Sequence, residues 1–461
     1  MQHTQEQINI INWVMLEGGI LLVPAGAGCG KTFIGLAVVE ALEPKKGLYT
    51  AFNKAIVEES VHKFRNTHME CKTLHALAYK YTQPKGGIQD LSYNDITEKI
   101  SYPDKALIIE NINLFYVSDS LDMYKYFDNV FGKKIKLKEL AIKYVTKTLD
   151  REIPMSFNFM LKYFHLLLAE GDIVCNYDIV ILDEINDTTA VALEIFKLLN
   201  APIKLGLGES NQAIYHFLNL KDGFEELKDA KRLPLTHSFR CSTKIANNIQ
   251  QFMRKYVSDE FTFSGTDEPV ANGNTLYVTL TNASIILLIK GFIKEGKRFT
   301  LLRKISDIFA YPLAIISAGA GKEVYQRNYK FLEKEYKKYK KEYWQKKSWF
   351  SYLLDEIDDQ ETESAINLLM TLKREGTNLF DLYAKAKAIR TDPKFTIATV
   401  FTAKGMEYET VYMNRDLNQR ISRIIEKGGI ITVEDLVAFR CYYVAASRAG
   451  TNLYNAVHFN P

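Results

Sequence analysis

The 461-residue sequence predicts an α/β fold with two parallel-sheet cores, each interrupted by a mostly helical insertion. Three observations predict it. Short apolar runs end in polar or glycine-rich turns and lead into helical patterns, the alternation that builds a parallel sheet. That alternation occurs twice, on either side of about residue 240. In each half it is broken by a stretch with helical periodicity and no strong strand signal, residues 84–165 and then 306–392.

In the first half, Ile20–Val23 reads as a buried strand that passes through Pro24–Thr32 into a helical run starting at Phe33. Gly47–Phe52 reads as a second strand, followed by a helix from about Lys54 to Phe64. Leu137–Leu149 and Phe157–Leu168 carry helical patterns. Strand character returns at Tyr177–Leu182, which ends in Asp183-Glu184, and at Ile203–Leu207, which ends in Gly208-Glu209. In the second half, Thr275–Leu280, Phe299–Leu302, Phe395–Val400 and Thr410–Met413 read as strands. A helix over about Val433–Ser447 and a last strand near Asn452–Ala456 close the chain. The expected domains are a first core over 1–83 and 166–235 with its insertion at 84–165, and a second core over 236–305 and 393–461 with its insertion at 306–392.

Composition places the chain among ordinary soluble proteins, at 47% hydrophobic and 25% charged. Its length suggests roughly three domains of about 150 residues each. No apolar run approaches the ~18 residues of a membrane span, and Met1–Glu6 lacks the regions of a secretory signal. A cytoplasmic protein is expected, in the host cytoplasm if the gene is viral; richness in Lys, Ile, Asn and Tyr points to an AT-rich genome such as a phage's. The five cysteines include no C-x-x-C pair and read as reduced, mostly buried thiols. Net charge is only +4. Basic residues concentrate between Lys322 and Lys347, where tyrosines interleave with them. There Tyr325, Tyr329, Leu332, Tyr336, Tyr339 and Tyr343 step by four and three, as on one helix face. The stretch reads either as an amphipathic helix that packs its tyrosines inward or as a basic element that binds duplex DNA.

The turn Ala25-Gly26-Ala27-Gly28-Cys29-Gly30-Lys31-Thr32 stands between a strand and a helix, the setting of a phosphate-binding loop. Glycines let backbone N–H groups converge on an anion, and the helix N-terminus adds its positive dipole end. Lys31 would reach the terminal phosphates and the Thr32 hydroxyl would hold Mg²⁺. A nucleoside triphosphate is the expected ligand. Asp183 at the next strand end can hold the metal, and Glu184 can act as general base on the attacking water. Gln212, just after a strand, suits a γ-phosphate contact or a polar turn. Arg240 and Arg448 read either as ion-pair residues or as arginine fingers.

Taken in order, these motifs resemble superfamily 1 helicases of the UvrD/Rep/PcrA branch, and within it the F-box DNA helicases and their phage relatives. The resemblance implies two RecA-like cores, ATP and Mg²⁺ as cofactors, and translocation on single-stranded DNA with unwinding of duplexes, 3′ to 5′. It makes Gln7 the reader of the adenine edge, Ala25–Thr32 the phosphate loop, and Phe239 an aromatic packed on adenine beside Arg240. It gives Phe52, Asn53, Thr73, His75 and Phe217 contacts to DNA. Thr399–Glu407 becomes a motif coupling DNA to nucleotide, with Thr399 and Lys404 toward DNA and Glu407 toward nucleotide. Tyr443–Ala449 then carries Arg448 as the second finger. Asn186, Glu209, Leu218, Phe401 and Ser447 depart from the family's usual Gln, Asp, Arg, His and Thr. Expected partners are single strands and single/double-strand junctions, with replication, repair or recombination proteins, and the chain is expected to be a monomer. Two other readings stay open: a translocase that strips proteins from single strands, and a nucleotide-gated DNA-binding protein without motor activity.

Overall fold

The computed structural model describes residues 3–51, 54–84, 87–212, 214, 220–357 and 359–459. The chain divides into two compact units, Met1–Gly26 with Gly30–Leu235, and Ala27–Cys29 with Thr236–Pro461.

The first unit is built on a six-stranded sheet of β1 (Gly19–Pro24), β2 (Gly47–Ala51), β3 (Met69–Cys71), β4 (Ile179–Asp183), β5 (Ile203–Gly208) and β6 (Lys231–Arg232). Its order is β3-β2-β4-β5-β1-β6, and every pairing is parallel. β2, β4 and β5 are buried along their whole length, as strands covered on both faces must be. Polar side chains can therefore gather only at the strand ends. The carboxyl ends of the neighbours β4, β5 and β1 present Asp183, Gly208 and Pro24 together, with Pro24 registered on Gly208.

Helices Leu74–Thr82, Phe157–Glu170 and Ala190–Leu198 cover this sheet in one apolar cluster. Helix Phe157–Glu170 runs through residue 165 and serves two cores at once. Leu161, Phe164 and Leu168 pack with the sheet, whereas Phe159 and Met160 pack with helices Tyr102–Val117, Met123–Phe131 and Ile135–Leu149.

The second unit holds a five-stranded parallel sheet and a two-stranded parallel pair. The pair is β7 (His237–Ser242) with β8 (Ser264–Thr266), which the sequence reading did not anticipate. β7 escaped because His237-Ser238-Phe239-Arg240-Cys241-Ser242 carries no apolar run. The larger sheet comprises β9 (Thr275–Thr279), β10 (Thr300–Leu301), β11 (Phe395–Thr399), β12 (Tyr408–Met413) and β13 (Ala449–Tyr454), in the order β10-β11-β9-β12-β13. The second insertion shares its core with this sheet. Ile285, Ile286 and Ile289 of helix Asn282–Lys294 and Ile397 of β11 join Phe309, Leu332, Tyr352 and Leu369 in one cluster.

The tyrosine periodicity is only partly helical. The helix spans Phe331–Glu342, and Tyr325 lies ahead of it, 82% exposed. The chain before the helix folds back on it, since Glu333 Oε1 accepts the Val324 N–H at 2.7 Å. Within and just after the helix, Leu332, Tyr336, Tyr339 and Tyr343 pack inward against Trp349 and Tyr352. Among the described residues no helix is long and apolar enough to cross a membrane.

Two polar side chains are buried on helix Phe157–Glu170. Lys162 donates to the carbonyls of Ser118, at 3.0 Å, and Ser120, so its charge is held by backbone oxygens. Burial brings its pKa down to about 8. Burial and the neighbouring Lys162 charge push His165 down to about 4. The unfolded chain, with an ordinary histidine near 6.5, takes up this proton before the folded chain does. Stability conferred by the neutral, buried ring is therefore present above about pH 6.5 and is lost as pH falls toward about 4. Thermal melts between pH 7 and 4.5 should show His165→Phe losing less of its melting temperature across that range than the wild type.

Candidate active site

The glycine loop starts as an extension of the first sheet. The Ala25 N–H donates to the Gly208 carbonyl at 2.8 Å and the Gly26 N–H to that of Leu235 at 2.9 Å. Gly28 and Gly30 have φ of 73° and 84°, a left-handed backbone that makes glycine the fitting residue at both positions. Gly30 caps helix Lys31–Leu42, so the helix's positive end opens directly on the loop. The tip, Ala27–Cys29, belongs with the second unit. There Ser238 Oγ donates to the Ala27 carbonyl at 2.7 Å, the Ala27 N–H donates to Tyr443 Oη at 3.0 Å, and the Phe239 N–H donates to the Gly28 carbonyl at 2.9 Å. A Cβ on Gly28 would stand 2.6 Å from Arg240 Cβ.

In the first unit Lys31 meets the carboxylates at the sheet's end. Its Nζ donates to Glu184 Oε1 at 2.8 Å, and both side chains are about four-fifths buried. Burial works against the charge on Lys31, but Glu184, Asp183 and Glu209 outweigh it and hold its pKa above the ordinary lysine value. Asp183, 3% exposed at the end of β4, is raised by burial and by Glu184, although Lys31 pulls it down. Its Oδ1 accepts the Glu184 N–H at 2.9 Å, and its Oδ2 accepts the Tyr49 hydroxyl. Glu184 has φ 55° and ψ 43°. A non-glycine residue holds such a backbone at a cost of roughly 1–3 kcal/mol, and such strain clusters at functional sites.

At the end of β5, Glu209 is buried and its Oε2 accepts from Gln212 Nε2 at 2.5 Å. Asn186, the shorter amide, still reaches across: its Oδ1 accepts the Glu209 N–H at 2.8 Å. Gln7 sits in a capping box with Thr4 at the start of helix Gln5–Leu16, its Oε1 accepting the Thr4 N–H at 3.1 Å. That helix lies beside helix Lys31–Leu42, with the His3 and Phe33 rings 5.6 Å apart. Gln7 Nε2 is buried without a hydrogen-bond partner, a donor left open for an acceptor. Thr32 and Asp183 offer hard oxygen donors of the kind Mg²⁺ takes. The donor set thus fits a magnesium nucleotide.

In the second unit two predicted residues, Arg240 and Arg448, converge on Ser447. Arg240 donates through Nε to Glu407 Oε2 at 3.3 Å and through Nη1 to the Ser447 carbonyl at 3.1 Å. Arg448, 1% exposed, donates to the carbonyls of Val444 (2.9 Å) and Met406 (3.2 Å) and to Ser447 Oγ (3.0 Å). Phe239 is 45% exposed and meets only the edge of His237 among the ring contacts of the described residues.

The expected DNA-binding residues are more dispersed. Thr73 and Thr399 use their hydroxyls as helix N-caps, on Ala76 and Thr402. His75 is lowered by burial and lies edge-on to Phe157, 6.2 Å away. Lys404 is half-buried near the end of helix Val400–Ala403. Phe52, Asn53, Phe217 and Leu218 lie outside the described residues. Sequence reasoning missed Tyr49 and Ser238. The two-residue period of β2 and β7 was the only signal available for either.

Comparison with known proteins follows the same division. Residues 7–218 match the AAA domain, and residues 294–459 match the UvrD-like helicase C-terminal domain. F-box DNA helicase 1 of Gallus gallus is 23% identical over 513 residues, covering 97% of this chain and 48% of its own length. F-box DNA helicase protein 1 of Schizosaccharomyces pombe is 27% identical over 281 residues, covering 53% of this chain and 32% of its own length. The chain thus spans about half or less of these curated relatives.

Lys31→Ala leaves the buried carboxylates without their cation. It should lower the unfolding free energy of the first unit by about 3 kcal/mol, and adding Glu184→Gln should restore most of that loss. Urea denaturation of the single and double variants measures both effects.

Proposed function

From the two domain matches and the F-box relatives, we propose that the chain is a UvrD-like superfamily 1 helicase, dependent on ATP and acting on DNA. It moves along single strands, 3′ to 5′, and opens the duplex ahead. The observation that carries this reading is the cluster of Lys31, Asp183, Glu184, Glu209 and Gln212 beside a glycine loop.

The arriving triphosphate exchanges its own negative charge for that of Glu184 at the Lys31 ammonium. Glu184 is then released to orient the attacking water and accept its proton. Thr32 and Asp183 would hold Mg²⁺, which would supply charge neutralisation on the phosphates. Gln7 reads the base and Phe239 packs on it. Gln212, tethered through Glu209, contacts the γ-phosphate, Arg240 stabilises the charge on the transferring group, and Arg448, bonded throughout its guanidinium, acts by holding the Ser447 segment on which Arg240 rests. Lys54, Thr73, His75, Thr399 and Lys404, with Phe52, Asn53 and Phe217, hold the strand. Aromatic faces accept any base, so the grip has little sequence preference.

Glu184→Gln should bind ATP with near wild-type affinity and lose strand-stimulated hydrolysis by more than a hundredfold; a coupled phosphate-release assay measures it. On duplexes tailed at one end or the other, ATP should drive opening only from the 3′ tail. Displacement of a strand-bound protein without opening would favour the stripping translocase instead. Replacing Lys337, Lys338, Lys340 and Lys341 with Gln should flatten the salt dependence of duplex affinity by ~0.9 log units per lost phosphate contact. An unchanged slope would leave those lysines a solvated face.

A further inference from the structure

Tyr49 belongs to none of the motifs above, yet it touches the carboxylate at the centre of the proposed metal site. It lies on β2, where Ala51 is registered against Asp183 of β4. Tyr49, two residues earlier, projects from the same face as Ala51. The side chain is fully buried, and its ring packs on Phe64 with centroids 5.1 Å apart. Its hydroxyl donates to Asp183 Oδ2, while Asp183 Oδ1 accepts the Glu184 N–H at 2.9 Å. Both carboxylate oxygens are therefore anchored, and rotating the group breaks one bond or the other.

The phenol is itself held. Ser60, 2% exposed on helix Lys54–Lys63, lies within hydrogen-bonding reach of it and donates to the Ile56 carbonyl at 2.8 Å. A position that needed only bulk would be served by Phe. A hydroxyl carried into a dry core is penalised unless it is bonded, so its presence marks the bond it makes.

We infer that Tyr49 is a positioning residue for the metal step, fixing the Asp183 carboxylate in the orientation from which it holds Mg²⁺ or a metal-bound water. The helix that follows Phe52 and Asn53 reaches the same carboxylate through Ser60 and the phenol. This rests on the reading of Asp183 as the metal carboxylate. Groups that orient a metal ligand, without touching the metal, typically change metal affinity by ~10- to 100-fold when removed.

The test uses the full chain and needs no turnover. Binding of a fluorescent ADP analogue is measured without metal, and Mn²⁺ is then titrated in and followed by electron paramagnetic resonance. Tyr49→Phe should leave the metal-free affinity within twofold of wild type and raise the Mn²⁺ midpoint about tenfold. Ser60→Ala, which keeps the phenol and loosens it, should move the midpoint less and in the same direction, and it carries the test if Tyr49→Phe folds poorly. Midpoints equal to wild type would overturn the inference, as would an equal fall in metal-free and metal-dependent binding, the mark of a merely structural tyrosine. A wild-type chain that fails to bind the analogue at all would instead remove the nucleotide reading, and this inference with it.

Discussion

A single ammonium facing several carboxylates at the end of a buried sheet is the constraint on which the first unit depends. The strands β2, β4 and β5 are covered on both faces, so charge has nowhere to go but their ends. There Lys31 is bonded to Glu184 and lies in the field of Asp183 and Glu209. Acidic groups outnumber the lysine, which leaves the pocket suited to a divalent cation and a phosphate chain entering together. Neither charge alone fits as well, because phosphate without metal would meet the carboxylates and metal without phosphate would meet the ammonium.

The second unit treats its two arginines differently. Arg448 is sealed in, with each of its guanidinium nitrogens donating to a backbone carbonyl or to Ser447 Oγ. Removing it would strand several acceptors in a dry interior. Arg240 instead divides its bonds between the Ser447 carbonyl and Glu407, a carboxylate whose side chain is 53% exposed. One guanidinium is thus part of the framework around Ser447. The other is anchored by one backbone carbonyl and one partly exposed carboxylate.

Much of this fold was legible because buried parallel strands are written as short, mostly apolar runs. The runs at Ile20–Val23, Ile203–Leu207 and Phe395–Val400 fall within a residue or two of β1, β5 and β11. β7 was invisible because its residues are mostly polar and it pairs, among the described residues, with the short β8 alone. The tyrosine stretch misled in the opposite way: the phase was right from Leu332 onward, but phase alone does not say where a helix begins, and here it begins at Phe331, after a separate 3₁₀ turn at Arg327–Tyr329. At the site, Lys31, Asp183, Glu184 and Gln212 could be named from local motifs. Tyr49 and Ser238 could not, because what singles them out is a neighbour far away along the chain. Spacing within a motif carries local geometry; hydrogen bonds between distant segments leave no such trace.

Helix Phe157–Glu170 has a further consequence for how the chain can be cut. Its Phe159 and Met160 close one apolar core while Leu161, Phe164 and Leu168 close another, so the segment after residue 84 is no detachable module. A shortened version ending that segment at residue 165 would split a continuous helix and uncover the sheet that presents Asp183. An evolutionary exchange of this insertion between related chains would have to carry both faces of the helix along, or else repack two interiors at once.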